Sequence, residues 1–242
     1  MTITPDRPTL LLVHGAWHGS WSWQKLEGKL AADGWATRSV QLPSAVVQDA
    51  PAEPLPGMYD DADVVRTALA EISGPVVVVA HSYGGIPVTE ATAGATNVVH
   101  LVYLASYQLD VGEAMLPFHG VPVPDSLAGT LPVTDPATGR ARGDFFYQDL
   151  DVAEAAEANA RLVPQSVRAC FEPVTRVGWR SIPSTYVVAD KDQALSPSDQ
   201  ERMARRAGAV HHLPSGHSPF LSMPGALASL LARIAAGAGT EC

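Results

Sequence analysis

Cysteine is nearly absent from this sequence: Cys170 and the last residue, Cys242, are its two thiols. Such a count argues against a disulfide framework and suits a reducing compartment. Long apolar runs are missing as well. PVVVVA (75–80) is far shorter than the roughly 20 residues that a bilayer span needs, and the opening MTITPDRPTL lacks the basic-then-apolar tandem of a secretory signal. A soluble, cytoplasmic protein with no membrane partner is therefore expected. Clusters of Lys and Arg are lacking too, and the formal net charge is −9. Without cations to neutralise phosphates, nucleic acid is not an expected partner. The acidic balance reads as a solvated surface that keeps the chain soluble. Internal repeats and low-complexity tracts are absent.

What is present suits one compact domain. Apolar residues make up 46% of the 242 positions and charged residues 17%, enough to bury a core without a partner. Six β-branched or aliphatic runs, at 9–15, 35–43, 75–82, 97–106, 184–190 and 209–215, read as strands. Helical periodicity fills the intervals near 21–33, 60–73, 84–94, 197–207 and 219–236, several opened by Ser, Asp or Pro. Near-continuous apolar strands alternating with helices predict an α/β fold, a mostly parallel sheet with helices on both faces. The alternation breaks in the proline-rich stretch 108–180. Because strands resume at Ser184, residues 1–107 and 181–242 are expected to form the core and 108–180 a helical cap inserted into it.

The chemistry concentrates at VVVVAHSYGGIPVTEA (76–91). A buried strand runs through Ala80-His81-Ser82-Tyr83-Gly84 directly into a helix, the context of a nucleophile elbow. So tight a turn strains the nucleophile's backbone and requires small residues two before and two after it. Ala80 and Gly84 qualify, although alanine replaces the commoner glycine at the first position. Ser82 is the candidate nucleophile. A serine hydroxyl needs a base within hydrogen-bond reach and a carboxylate to orient that base. In STYVVADKDQALSP, Asp192 lies in the turn and is assigned ahead of Asp190 at the strand end, while Asp199 falls inside the next helix. In AVHHLPSGHSPF, His217 lies in a glycine-containing loop, whereas His211 and His212 belong to the strand. His217 is the candidate base.

An oxyanion formed at Ser82 would need N–H donors. The amide after the nucleophile belongs to Tyr83; a second is expected from the loop after the first strand, where Gly15 lets the backbone approach and Ala16 supplies the N–H. His14 and His81 read as residues that hold loops. Trp21 and Trp23 read as packing residues, and His18 either tethers its loop or faces the pocket. The cap aromatics, among them Phe118, Phe145 and Phe146, are expected to pack rather than to form a site.

HGAWHGSWSWQKLEGKLAADGW, AHSYGG, STYVVADKD and GHSPFLSMP, in this order and spacing, resemble the α/β-hydrolase superfamily, and within it the branch of small methylesterases and hydroxynitrile lyases with related bacterial serine esterases. The resemblance covers nearly all of the chain outside the cap. It implies Ser82 as nucleophile, His217 as base, Asp192 as its orienter, and Ala16 and Tyr83 as the oxyanion hole, with no cofactor and no metal. Hydroxynitrile lyases of this branch carry threonine after the first histidine and lysine after the catalytic one. Gly15 and Ser218 stand there instead, which argues against cyanohydrin cleavage. Serine at the elbow argues against the aspartate-dependent dehalogenases and epoxide hydrolases. The expected activity is hydrolysis of a small or medium carboxylic ester through an acyl-enzyme, the partner being a small-molecule ester. Acyl transfer, cyclisation, lactone or thioester cleavage by the same residues, and a non-catalytic receptor, are the alternatives. The motifs leave the oligomeric state, monomer or homodimer, open.

Overall fold

The computed structural model describes residues 7–46 and 54–238. Six strands form one parallel sheet: β1 (Thr9–Val13), β2 (Thr37–Val40), β3 (Val76–His81), β4 (Val98–Leu104), β7 (Ser184–Ala189) and β8 (Ala209–Leu213), in the order β2-β1-β3-β4-β7-β8. Each lies inside one of the six predicted runs. A parallel strand buried on both faces sends alternate side chains to opposite layers. Leu10 and Leu12 of β1, with Val77 and Val79 of β3, pack beneath α1 (Gln24–Ala32) and α10 (Pro224–Ala238). Leu11 and Val13, with Val76, Val78 and Ala80, face the other layer, where α2 (Met58–Glu71), α3 (Gly85–Ala91) and α8 (Pro197–Ala204) supply Met58, Val65, Ile86 and Met203.

The single helix expected at 219–236 is two, α9 (Pro219–Ser222) and α10. Pro224 lacks an N–H and disfavours helical backbone in the residue before it, so the first helix stops at Ser222. No helix among the described residues is long and apolar enough to cross a membrane.

Between β4 and its sheet neighbour β7 the chain leaves the sheet. This excursion holds α4 (Met115–Phe118), α5 (Gly143–Phe146), α6 (Val152–Asn159), α7 (Val167–Phe171) and a short antiparallel pair, β5 (Thr130–Leu131) with β6 (Gln165–Ser166). Sequence periodicity does not reveal that pair, since two residues are too few to alternate. The excursion returns to the core: Val46 N–H donates to the Pro164 carbonyl at 2.8 Å, and Ser166 N–H to that of Ser44 at 2.8 Å. Cys170 lies buried there with a free thiol that burial pushes up to about 12, while Cys242 is outside the described residues.

Candidate active site

β3 is buried along its whole length and passes at His81 into one turn of 3-10 helix, Ser82–Gly84, which runs on into α3. Ser82 has φ 50, a left-handed conformation that costs a non-glycine residue about 1–3 kcal/mol. Two donors beyond β4 hold it there. The Ser82 carbonyl accepts from Ser106 Oγ at 2.7 Å and from Tyr107 N–H at 3.0 Å. The turn also passes close to β1: a methyl on Gly84 would stand 2.5 Å from the His14 carbonyl oxygen and 2.8 Å from that of Val13. Close approach of two backbones therefore dictates glycine at that position.

The acid and the base meet across the ends of β7 and β8. Asp192 Oδ2 accepts a 2.7 Å hydrogen bond from His217 Nδ1, with both side chains almost wholly buried. Three further donors fix the carboxylate: Ala194 N–H at 2.7 Å and Leu195 N–H at 3.0 Å on Oδ1, and Gln200 Nε2 at 2.8 Å on Oδ2. With Nδ1–H committed to Asp192, the neutral ring carries its free lone pair on Nε2. Asp190 is exposed and bonds instead with His212 Nδ1 at 2.7 Å. Asp199 bonds with Ser196 at the start of α8. No hydrogen bond joins Ser82 Oγ to His217 among the described residues, but both line one cavity of about 340 Å³. Contacts between nucleophile and base commonly tighten once substrate is bound.

The histidines around the motifs hold the loops. His14 Nε2 accepts from Leu42 N–H at 3.0 Å, so its proton is on Nδ1, which donates to the Gly15 carbonyl at 2.8 Å. In a trans peptide the N–H points opposite the carbonyl. Pulling the Gly15 oxygen toward His14 thus turns the Ala16 N–H the other way. That buried amide has no acceptor among the described residues, and Ala16 lines the cavity; an unpaired buried donor is rare in native proteins. His18 is a tether: its Nδ1 donates to the Ala16 carbonyl at 2.8 Å and its Nε2 accepts from Tyr147 OH at 2.9 Å. His81 Nε2 donates to the His217 carbonyl at 2.9 Å. Burial keeps all three rings neutral, His14 near a pKa of about 4 and His18 near about 3, with His81 well below the usual value. The Tyr83 amide lies in the first turn of the 3-10 helix, where N–H groups have no intrahelical partner.

Several residues of this site carry no sequence signal. Trp17 does not pack beneath the following helix with its neighbours: at φ 61 its indole swings to the excursion, donating to the Leu131 carbonyl at 3.1 Å and lining the cavity. Trp23 is fully buried as expected, whereas Trp21 is half-buried under Arg161. Phe146 packs on the His217 ring with centroids 5.4 Å apart, and it and Phe145 line the cavity that the sequence left without aromatic residues. Asp149 accepts from Gly216 N–H at 2.6 Å, and Gln148 Nε2 donates to the Lys191 carbonyl at 2.8 Å, so the excursion clamps the loops of both His217 and Asp192.

Beneath the cavity, Asp61 of α2 accepts from Tyr83 OH at 2.5 Å, Ser44 Oγ at 2.5 Å and Ser44 N–H at 3.0 Å. Ser44 Oγ accepts in turn from Gln165 Nε2 at 2.7 Å, and Gln165 Oε1 accepts from Trp17 N–H at 3.1 Å. This chain ties the Tyr83 turn to the Ala16-Trp17 loop. Burial pushes the Asp61 carboxyl up to about 7 against the pull of its hydrogen bonds.

The relatives agree with this architecture. A hydrolase from Aspergillus novofumigatus is 28% identical over 97% of this chain and 99% of its own. A carbendazim-hydrolysing esterase from Nocardioides is 30% identical over 93% of this chain and 98% of its own. Among solved structures, a methylesterase from Arabidopsis shares the fold with a TM-score of 0.78 at 23% identity, over 95% of this chain and 99% of that one. Residues 10–230, nearly the whole of the sheet and its helices, match the family model described as "Alpha/beta hydrolase family". The chain belongs to that family.

Proposed function

We propose that the protein is a serine esterase, hydrolysing carboxylic esters of small molecules through an acyl-enzyme. The observation that carries this reading is the buried 2.7 Å bond between His217 Nδ1 and Asp192, which leaves Nε2 free in the cavity that Ser82 also lines. The names of the relatives, which include a carbendazim-hydrolysing esterase and methylesterases, point the same way. Residues 108–180 act as the cap over a core of 1–107 and 181–242.

In the proposed reaction, Ser82 Oγ attacks the ester carbonyl carbon while its proton passes to His217 Nε2. Negative charge collects on the carbonyl oxygen, between the N–H groups of Ala16 and Tyr83. One such donor is worth about 10²–10³ in kcat in enzymes of this type. The intermediate collapses, the bond to the alcohol oxygen breaks, and His217 returns its proton to that oxygen. Asp192 stays ionised and stabilises the imidazolium. Water, deprotonated by His217, then attacks the acyl-Ser82 carbonyl, and the acid leaves as Ser82 recovers its proton. The chain's own groups and water balance every step.

Turnover of p-nitrophenyl butyrate by wild type and Ser82→Ala tests the assignment. The variant is expected to lose about 10⁴-fold or more in kcat. Equal rates would remove Ser82 from the mechanism.

A further inference from the structure

We propose, resting on the esterase reading, that the substrate is an ester bearing a second, free carboxylate, and that Arg142 of the excursion binds that carboxylate. The cavity around Ser82 is largely apolar, walled by Trp17, Met115, Leu116, Phe145, Phe146 and Leu195. Arg142 is the one Lys or Arg among the described residues lining it. His119, the other basic side chain besides His217, meets Tyr107 OH at 2.9 Å, and burial holds its pKa below the usual value.

The Arg142 side chain is poorly satisfied by the protein. Its Nε is buried and has no hydrogen-bond partner. The carboxylate beside it, Asp135, forms an ion pair with it, Oδ2 standing 3.7 Å from Nη2, but that is too long for a hydrogen bond. Oδ1 of Asp135 is occupied by the N–H groups of Ala137 and Thr138 at 2.9 and 3.1 Å. The guanidinium lies over the Trp17 ring, 4.9 Å from its centroid, which fixes the fork against a wall of the cavity. The backbone is held too, with Arg142 N–H donating to the Val133 carbonyl at 2.8 Å.

Nη1 and Nη2 make no hydrogen bond among the described residues and, unlike Nε, are not sealed off, and a guanidinium offers a planar fork that a carboxylate matches with two parallel bonds. An apolar cavity with one such fork favours an ester that is apolar in the middle and anionic at one end.

The test compares p-nitrophenyl monoesters of succinic, glutaric and adipic acid with the neutral p-nitrophenyl butanoate, pentanoate and hexanoate, and 4-acetoxybenzoate with phenyl acetate. The first set carries the anion on the acyl side and the second on the alcohol side. For at least one pair, wild-type kcat/KM is expected to favour the anionic ester about 10- to 100-fold, the worth of one charge-assisted pair. That ratio should fall to near one in Arg142→Met and recover in part in Arg142→Lys. Ratios near one in wild type, or ratios unchanged by Arg142→Met, overturn the proposal.

Binding supplies a readout that needs no turnover. In Ser82→Ala protein, calorimetry should find monomethyl glutarate bound at least about tenfold tighter than methyl pentanoate, and the difference lost when Arg142→Met is added. Equal affinities overturn the proposal even if esters are hydrolysed. Selective binding without any ester hydrolysis by wild type overturns the esterase reading and leaves the anion site standing.

Discussion

Replacing Asp192 with asparagine changes one oxygen for an amide nitrogen, and the four donors around that carboxylate make the consequence calculable. Ala194 and Leu195 N–H approach Oδ1, while Gln200 Nε2 and His217 Nδ1 approach Oδ2. An amide has a single acceptor oxygen, so one of the two pairs must confront its NH₂. Turning the NH₂ toward the backbone strips two buried N–H groups of their acceptor at about 1–3 kcal/mol each. The opposite orientation is cheaper, because His217 can change tautomer. Its Nδ1 then accepts from the new side-chain amide and its proton moves to Nε2, leaving no lone pair there to act as base. In serine proteases the same change at the triad acid lowers kcat about 10⁴-fold, equivalent to about 5.5 kcal/mol of barrier. Asp192→Asn is therefore expected to lose roughly that factor on p-nitrophenyl butyrate while remaining folded, with a stability loss of about 1–3 kcal/mol from the bond that Gln200 gives up. Asp190→Asn supplies the control. Asp190 is an exposed partner of His212, worth about 0–1 kcal/mol, and its loss should leave kcat within about twofold. The reasoning fails if folded Asp192→Asn keeps activity within tenfold of wild type, or if Asp190→Asn loses as much.

Two further substitutions probe the frame of the site. Gly84→Ala would drive a methyl to 2.5 Å from the His14 carbonyl oxygen; neither backbone can yield cheaply, and a loss of about 1–3 kcal/mol is expected, read as a fall in Tm of about 2–4 °C per kcal/mol. Gly28→Ala on the exposed face of α1, where no atom beyond the neighbouring helix backbone comes within 4 Å of the new methyl, should instead gain about 0.5–1 kcal/mol, and a similar loss at both sites would contradict the steric account. Asp61 has a folded pKa raised to about 7 from 3.8, so its proton is held more tightly in the folded state than in the unfolded one. Its contribution is fully present below about pH 4 and is lost as pH rises through about 7. Relative to wild type, Asp61→Asn should therefore gain stability as pH rises from about 4 to about 7 in urea unfolding and level off above that, and a difference independent of pH would refute a raised pKa.

The sheet and most of its helices were legible in the sequence because they rest on local patterns. Continuous apolar runs such as LLLV and VVVV can be buried only in a strand covered on both faces, and Ala80 and Gly84 around Ser82 mark a turn with room for no larger side chain. Loop position also separated His217 from His211 and His212. Locality ends there. Asp190 and Asp192 differ by two positions, and what distinguishes them is that the turn after β7 brings Asp192 to His217, 25 residues away in the chain.

Contacts of longer range had no local sign at all. Gln165 reaches the Trp17 amide across 148 positions, and Tyr147 reaches His18 across 129. Trp17 lies in the same aromatic loop as Trp21 and Trp23, yet its left-handed backbone carries its buried ring to the excursion, where it bonds to the Leu131 carbonyl. The proline-rich stretch lacks a periodicity that would assign faces, so which of its side chains line the cavity, Arg142 among them, was decided by how it folds back over the strand ends. Burial drives local elements toward a pattern that any observer of the chain can count; the pocket wall depends on which distant segments meet, and only the tertiary structure decided that.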